Sequence, residues 1–275
     1  MKPYLPYLFL LLLVASCKPG TDEVPSYVHI PAMSVLVTDP LQGTTSQKIT
    51  DVWLYADDEI LGVYPLPVTI PVLKTGTTKL TFSPGILANG ISTTRVQYPF
   101  YTDTIMYVDL VAGQTDTITP YVTYRAATQF LLNEDFENGN EFSNVERVTD
   151  AGSVFEGNNS GRILVDTTRY VRMVTNTKFQ VNQDDGVIVF VELDYKSTHV
   201  MKAGIIGSSN TQGTFVISKV FIAPQDDWNK IYLNFTPEIN NTLAYEFQFF
   251  LEVNEQSTTD DINNYIDNVK ILLDE

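Results

Sequence analysis

The sequence predicts an all-β protein built from two β-sandwich domains, and three observations support this. No stretch after residue 26 shows the sustained period of 3.6 residues that a surface helix needs. Short strand-like runs recur instead, separated by Gly, Pro, Asn and Asp. The chain also holds 15 Tyr and 15 Phe residues, which favour strands. Its length of 275 residues, 44% of them hydrophobic, suits about two domains with buried cores.

Residues 1–16 have the layout of a secretory signal peptide, with Lys2 followed by an apolar run. The run is too short for a membrane-spanning helix, which takes about 20 residues. It ends in Leu-Val-Ala-Ser-Cys, and this Cys17 is the only cysteine of the chain. The ending resembles a bacterial lipobox, which implies cleavage before Cys17 and lipidation of its sulfur. The alternative is an ordinary signal peptide with a chance cysteine.

Residues 17–26 are rich in Pro, Gly, Ser and charge, and we expect them to form a lipidated tether. Several acyl chains would anchor such a protein stably. Asp22 and Glu23 resemble the acidic export signal of Bacteroidota surface lipoproteins. The resemblance implies an outer-membrane lipoprotein displayed on the cell surface, with an outer-membrane protein as a partner.

Residues 27–127 form the first predicted domain. Its strand-like runs are Met33–Thr38, Asp51–Ala56, Lys79–Ser83, Met106–Val111 and Thr117–Tyr124. In the run Asp51–Ala56, small and aliphatic residues alternate with Trp53 and Tyr55, as in a half-buried strand. The polar turn that follows it predicts a hairpin with Ile60–Tyr64. Prolines at 65, 67 and 71 predict an edge or irregular strand.

The boundary at residue 127 follows from charge. Residues 18–127 hold ten acids and six bases, whereas residues 128–275 hold 23 acids and ten bases. The second domain is therefore strongly acidic, and the whole chain carries a net charge of −16. A protein that binds nucleic acid needs a basic surface, so we expect no nucleic-acid partner.

The first domain carries the motif Gly-Ile-Leu-Ala-Asn-Gly-Ile at residues 85–91, followed by Arg95 and the aromatics Tyr98, Phe100 and Tyr101. Together with Asp51–Tyr55, these residues resemble an uncharacterised group of Bacteroidota lipoproteins. The resemblance implies an immunoglobulin-like or carboxypeptidase-regulatory-like sandwich. Asn and Gly at 89–90 suit a turn with positive φ. Arg95 and the aromatics could form a cation–π cluster or belong to a packed loop.

The second domain opens with Asn-Glu-Asp-Phe-Glu-Asn-Gly and closes with Tyr-Ile-Asp-Asn-Val. Between them lie the segments 159–165 and 228–233. This order of motifs resembles the galactose-binding-like jelly roll of many carbohydrate-binding modules. The resemblance places the first and last strands together and implies a structural Ca²⁺ shared by Glu137 and Asp267. Calcium prefers six to eight oxygen ligands, to which backbone carbonyls near 159–162 could contribute. The alternative is two separate surface or capping acids.

Glycan binding needs exposed aromatic rings and a few hydrogen-bonding groups. Tyr170, Tyr195 and His199 are the predicted carbohydrate-binding residues, and Arg172 is a further candidate. Each of them could instead have a core or surface role. Strong negative charge disfavours acidic polysaccharides, so a neutral glycan is the predicted ligand.

Catalysis finds little support, because the chain has two histidines and lacks the common nucleophile, metal and phosphate-binding motifs. The sequence therefore predicts a lipid-anchored, non-catalytic carbohydrate-binding protein, placed in a polysaccharide-uptake system. The alternative is a structural or adhesive surface protein that contacts other proteins.

Overall fold

The computed structural model of the chain describes residues 24–182, 186–255 and 261–274. The predicted signal peptide, Cys17 and most of the tether lie outside these residues. The described chain is built almost entirely of β-strands, which confirms the all-β prediction. No helix among the described residues is both long and apolar enough to span a membrane.

The first domain packs one five-stranded sheet against two smaller ones. Its strands are β1 (Ser26–Ile30), β2 (Ser34–Val35), β3 (Asp51–Ala56), β4 (Glu59–Pro65), β5 (Val68–Val72), β6 (Gly76–Leu87), β7 (Arg95–Gln97), β8 (Thr104–Leu110), β9 (Thr115–Thr117) and β10 (Tyr121–Val122). The large sheet has the order β4-β3-β6, with β7 and β8 both paired to β6. The small sheets are β5-β1-β9 and β10-β2, and a short 3-10 helix spans Pro40–Gln42.

The local predictions for this domain are confirmed at two places. Asp57 and Asp58 both have positive φ, at 51° and 67°, and form the two-residue turn between β3 and β4. Pro71 lies in β5, which is the outermost strand of its sheet. A proline is tolerated there because the edge leaves one side of the strand unpaired.

The second domain is a two-sheet sandwich. Its strands are β11 (Gln129–Glu134), β12 (Val145–Val148), β13 (Ser160–Ile163), β14 (Tyr170–Val174), β15 (Phe179–Gln180), β16 (Ile188–Ser197), β17 (Met201–Ser209), β18 (Gly213–Ile222), β19 (Gln225–Asn234), β20 (Ala244–Asn254) and β21 (Asn264–Asp274), with helix α1 at Thr236–Thr242. One sheet has the order β12-β13-β21-β16-β19, with β11 also on β21; we call it the covered sheet. The other has the order β14-β20-β17-β18, with β15 also on β20; we call it the open sheet.

Alternate residues of the two sheets fill the core between them, including Val191 and Leu193 on β16 and Phe247, Phe249 and Leu251 on β20. The first strand of the domain, β11, pairs antiparallel with its last, β21. This pairing is the one that the resemblance to jelly-roll modules implied.

The outer face of the covered sheet packs on the first domain. Phe190, Tyr232 and Leu272 belong to the same buried cluster as the first-domain core. The ring of Tyr98 lies 5.4 Å from that of Phe190 and 4.9 Å from that of Tyr232. The two domains therefore share one apolar interface, and the part of the covered sheet that holds Phe190, Tyr232 and Leu272 is buried on both faces.

The predicted turn at Asn89 and Gly90 is part of this interface. Both residues have positive φ, at 59° and 68°. The Asn89 amide donates a 2.7 Å hydrogen bond to the Tyr232 carbonyl, and its side-chain oxygen accepts one of 2.9 Å from the Asn234 amide. The turn therefore extends the backbone pairing of β19 into the first domain.

Charged side chains are buried in the same interface. Glu192 accepts hydrogen bonds from the hydroxyls of Tyr98 and Tyr124, at 2.6 and 3.1 Å. The Lys230 ammonium lies 3.3 Å from Glu192, and the Lys270 ammonium donates to the Tyr124 hydroxyl at 3.1 Å. Burial lowers the pKa of Lys270 to about 8, although Glu192 nearby opposes the shift.

Arg95 is not part of an aromatic cluster. Its guanidinium forms an ion pair with the buried Asp51. Tyr98, Phe100 and Tyr101 are buried in the core of the first domain, in the cluster that also includes residues of the second domain. Residues 98–101 therefore form a packed loop after β7, as the second interpretation of the sequence had it.

Candidate functional site

A row of charged side chains crosses three strands on the outer face of the open sheet. In the strand register, Arg172 on β14 and Lys202 on β17 both lie opposite Glu252 on β20. Val171 and Met173 point into the core, so Arg172 and its neighbour Tyr170 point outward. We call Tyr170, Arg172, Lys202, Phe250 and Glu252 the face cluster.

The Glu252 carboxylate is the centre of the face cluster. It accepts hydrogen bonds from the Tyr170 hydroxyl and from Arg172 Nε, both at 3.0 Å, and it lies 2.6 Å from the Lys202 ammonium. Burial alone would raise the pKa of Glu252, but the hydrogen bonds from these three donors hold it below its usual value. The carboxylate is therefore ionised at neutral pH and fixes the positions of its donors.

The floor of the face cluster is closely packed. The Arg172 guanidinium lies 4.6 Å from the centre of the Phe250 ring, a cation–π distance. Phe250 is fully buried although it points outward, because its ring lies over Gly204. A Cβ atom at position 204 would collide with this ring, so glycine is required for the close contact.

An open groove of about 540 Å³ borders the face cluster. Tyr170 and Arg172 line it together with Asn144, Leu164 and Asp166. Tyr170 as a whole residue is 39% exposed, and it lines the groove. The groove thus offers an aromatic surface beside fixed hydrogen-bond donors.

Of the three predicted carbohydrate-binding residues, Tyr170 and His199 lie at the same end of the open sheet. Both β14 and β17 run antiparallel to β20; Tyr170 begins β14, and His199 precedes β17 by two residues. His199 Nδ1 lies 2.9 Å from Thr198 Oγ1, and its backbone amide donates to Asn264.

Tyr195 does not join them. It lies on β16 in the covered sheet, is 3% exposed and packs into the core. Its hydroxyl accepts a hydrogen bond from Asn229 and donates one to the Ala223 carbonyl. Its ring therefore cannot stack on a sugar. The prediction that Tyr195 binds carbohydrate is wrong, because the side chain is buried. The residue does line a cleft of about 270 Å³ between the domains, together with Lys48, Asn89 and Phe221.

The predicted calcium ligands, Glu137 and Asp267, contact the same segment, residues 156–160. Glu137 Oε1 accepts hydrogen bonds from the backbone amides of Asn158 and Asn159, at 2.7 and 2.8 Å. Asp267 Oδ2 accepts one from the Ser160 hydroxyl at 2.6 Å. The segment therefore joins the two acids through its own donors.

These contacts set the two pKa values in opposite directions. Backbone hydrogen bonds from Asn158 and Asn159 lower the pKa of Glu137 to about 2. Burial raises the pKa of Asp267 to about 6, against the hydrogen bonds that it accepts. The described residues contain no group of three or more His, Cys, Asp or Glu suited to a metal, and the side-chain amides of Asn158 and Asn159 also donate to Glu137. The shared calcium ion stays a prediction.

Sequence reasoning missed Lys202, Phe250 and Glu252. A signal was present in β20, where Glu246, Gln248 and Glu252 alternate with the core residues Phe247, Phe249 and Leu251. This alternation marks a strand with one solvent-facing side. That Lys202 and Arg172 flank Glu252 depends on the strand order of the sheet, which no local pattern contains.

No protein-family model matches the chain, and no curated protein matches its sequence. Among solved structures, a xylan-binding domain of Paenibacillus barcinonensis Xyn10C from family 22 of the carbohydrate-binding modules is 14% identical, with a TM-score of 0.42, and the match covers 55% of this chain and 98% of that one. A second family 22 xylan-binding domain is 13% identical, with a TM-score of 0.37 and coverage of 52% and 93%. A carbohydrate-binding module of the β-sandwich superfamily is 13% identical, with a TM-score of 0.34 and coverage of 80% and 84%. At these identities and TM-scores the likenesses assign no ligand to the chain.

Proposed function

We propose that the chain is a non-catalytic carbohydrate-binding protein, held at the cell surface by a lipid on Cys17. The observation that carries the proposal is the face cluster beside its open groove. On the outer face of the covered sheet, Phe190, Tyr232 and Leu272 pack on the first domain, whereas the outer face of the open sheet carries the face cluster.

The chemistry of the face cluster suits a sugar. A pyranose ring has an apolar face of C–H groups and a rim of hydroxyls. The exposed Tyr170 ring matches the apolar face, and the fixed guanidinium and ammonium groups of Arg172 and Lys202 can donate to hydroxyls. Because Glu252 already holds these donors in place, little side-chain entropy is lost when a ligand binds.

A neutral polysaccharide is the proposed ligand. The net charge of −16 repels acidic chains at long range. Within the face cluster, Arg172 and Lys202 both form ion pairs with Glu252, and these ion pairs fix the positions of the two cationic side chains. Hydroxyl-rich neutral chains can use these donors without bringing further negative charge to the surface.

The test is affinity electrophoresis of the whole chain in gels that contain arabinoxylan, mixed-linkage β-glucan or galactomannan. We expect retardation by at least one polymer, and a loss of roughly fivefold in affinity for Tyr170→Ala and for Arg172→Ala. Tyr245→Ala is the control, because Tyr245 is 41% exposed and lies at the opposite end of β20. The proposal fails if none of the three polymers retards the chain.

The alternative, a structural or adhesive protein, has support in β18. This ten-residue strand is an edge of the open sheet, and it exposes Val216 and Phe221. An exposed edge with apolar side chains can pair with another protein. Crosslinking on cells that recovers one protein through β18, together with no binding to the polymers, would favour this function.

A further inference from the structure

The outer face of the large sheet in the first domain carries apolar and aromatic side chains on three of its strands, with β6 between β3 and β8. They are Ile60 and Val63 on β4, Trp53 and Tyr55 on β3, and Ile105 and Tyr107 on β8. We call these six residues the platform. Their neighbours Val52, Leu54 and Phe82 point the other way, into the core.

The strand register places the platform residues next to one another. Trp53 lies opposite Val63 on one side and Ser83 on the other. In the next row, Tyr55 lies opposite Ile60 and Thr81, and Thr81 lies opposite Ile105. At about 4.8 Å between strands, this row is roughly 14 Å wide.

The Trp53 indole lies along the sheet. A Cβ atom at position 85 would collide with its six-membered ring, so the ring covers Gly85 on the neighbouring strand. One side of the indole therefore lies against backbone, and the residue as a whole is half-buried. Tyr107, at the far side of the sheet, is 72% exposed.

Polar groups and balanced charges surround the platform. Gln97 donates a 3.2 Å hydrogen bond to the Tyr55 hydroxyl, and Thr81 lies between Tyr55 and Ile105. At the margins, Lys79 pairs with Asp58 at 2.7 Å, and Arg95 pairs with Asp51. Aromatic faces, hydroxyls between them and paired charges at the margins suit an uncharged polyhydroxylated chain better than an anionic one.

We propose that the platform is a second carbohydrate-binding surface, on which the rings of a neutral polysaccharide stack against Trp53 and Tyr107. This inference rests on the proposed function, because it assumes the same class of ligand. The residues that would bind the ligand are different and lie in the first domain. The platform extends from β4 to β8, which suits an extended chain that lies across the strands. A second copy of this chain is the competing occupant, because large apolar sheet faces also form protein interfaces.

Trp53 is one of two tryptophans, so its emission can report binding directly. The other, Trp228, packs 5.3 Å from Phe155, and Trp228→Phe leaves Trp53 as the only indole. We expect arabinoxylan, mixed-linkage β-glucan or galactomannan to shift the emission of the whole Trp228→Phe chain. Tyr107→Ala on this background should weaken the binding roughly tenfold, whereas Tyr121→Ala, exposed to 59% on β10, should not.

Trp53→Ala in the otherwise unchanged chain gives a second measurement, by affinity electrophoresis. The proposal is wrong if no polymer shifts the Trp53 emission, or if binding depends on Tyr170 and Arg172 but not on Trp53 and Tyr107. It is also wrong if light scattering finds a dimer that Tyr107→Ala dissociates. Binding that depends on Trp53 and not on Tyr170 would support the platform and refute the face cluster.

Discussion

Tyr98 of the first domain donates a 2.6 Å hydrogen bond to Glu192 of the second, and both side chains are buried. Glu192 also accepts from Tyr124 and lies 3.3 Å from the Lys230 ammonium. A buried carboxylate with several donors is far harder to separate from them than an exposed one. The two domains are thus joined by a polar network inside an apolar contact.

Removing the charge of Glu192 should destabilise the whole chain. We expect Glu192→Gln to lower the free energy of unfolding by about 3–5 kcal/mol, because Lys230 then loses a buried counter-charge. Tyr98→Phe should cost about 1.5–3 kcal/mol. Urea unfolding measures both. Glu59→Gln is the control, since the Glu59 side chain is 80% exposed and should change stability by less than about 0.5 kcal/mol.

A piece that holds only residues 128–275 should be less stable than the whole chain. It would expose Phe190, Tyr232 and Leu272 to water and leave buried charges without their first-domain partners. We expect a lower melting temperature and binding of an apolar dye such as ANS. Equal melting temperatures and no dye binding would show that the interface contributes little. Ligand tests therefore belong on the whole chain.

Glu137→Gln tests whether hydrogen bonds to the Glu137 carboxylate or a bound calcium ion hold the segment 156–160 in place. The backbone amides of Asn158 and Asn159 donate to this carboxylate, so we expect a lower melting temperature with or without a chelator. A bound calcium ion would behave differently, because ligand at 100 times its Kd adds about 2.7 kcal/mol to the stability. A melting temperature that falls on chelation in the unchanged chain, but not in Glu137→Gln, would show the ion.

Asp267 should make stability depend on pH between about 4 and 6. Its pKa rises from 3.8 in the unfolded chain to about 6 in the folded one, so the folded state binds the extra proton in this window. Stability should therefore fall as the pH rises from 4 to 6. Asp267→Asn should remove that part of the slope, which urea unfolding at pH 4.5 and pH 7 can measure. Equal slopes in both chains would contradict the assignment.

Cys17→Ala should release the protein from membranes. The thiol is the predicted attachment point for lipid, and the tether offers no other anchor of its own. Partitioning in a detergent that separates into two phases gives the readout, and the unchanged chain should enter the detergent phase. Unchanged partitioning of Cys17→Ala would refute the lipobox.

Features set by neighbouring residues were predictable from the sequence. The strand Asp51–Ala56 and the hairpin that follows it were predicted from side-chain alternation and turn chemistry, and both occur. The turn is one residue shorter than the predicted Asp57–Glu59, because Glu59 already pairs with Ala56 as the first residue of β4. The outward direction of Trp53 and Tyr55 follows from the same alternation. The exclusion of Tyr195 from the surface was also accessible, because it alternates in phase with Val191 and Leu193.

The interface between the domains was not predicted. Residues 188–191 of β16 read Ile-Val-Phe-Val, which is apolar on both faces and typical of a strand covered on both sides. This pattern indicates that both faces of the strand are covered, but it does not identify the first domain as the part that covers the outer face. Lys230 and Lys270 made the interface harder to predict, because a lysine in a sequence usually indicates a solvent-exposed position, whereas both are buried here. Their positions depend on pairing with Glu192 and Tyr124 from distant parts of the chain.

The interface between the domains also bears on avidity. Because Tyr98, Phe190 and Tyr232 pack together across it, the interface sets the separation and orientation of the Trp53 platform and the Tyr170 groove. A polysaccharide bound at one surface and long enough to reach the other would meet it at a high effective concentration, with no flexible linker to order. Two weak sites could then retain a long polymer while each released short fragments quickly, so selection by chain length would arise from the spacing of the domains.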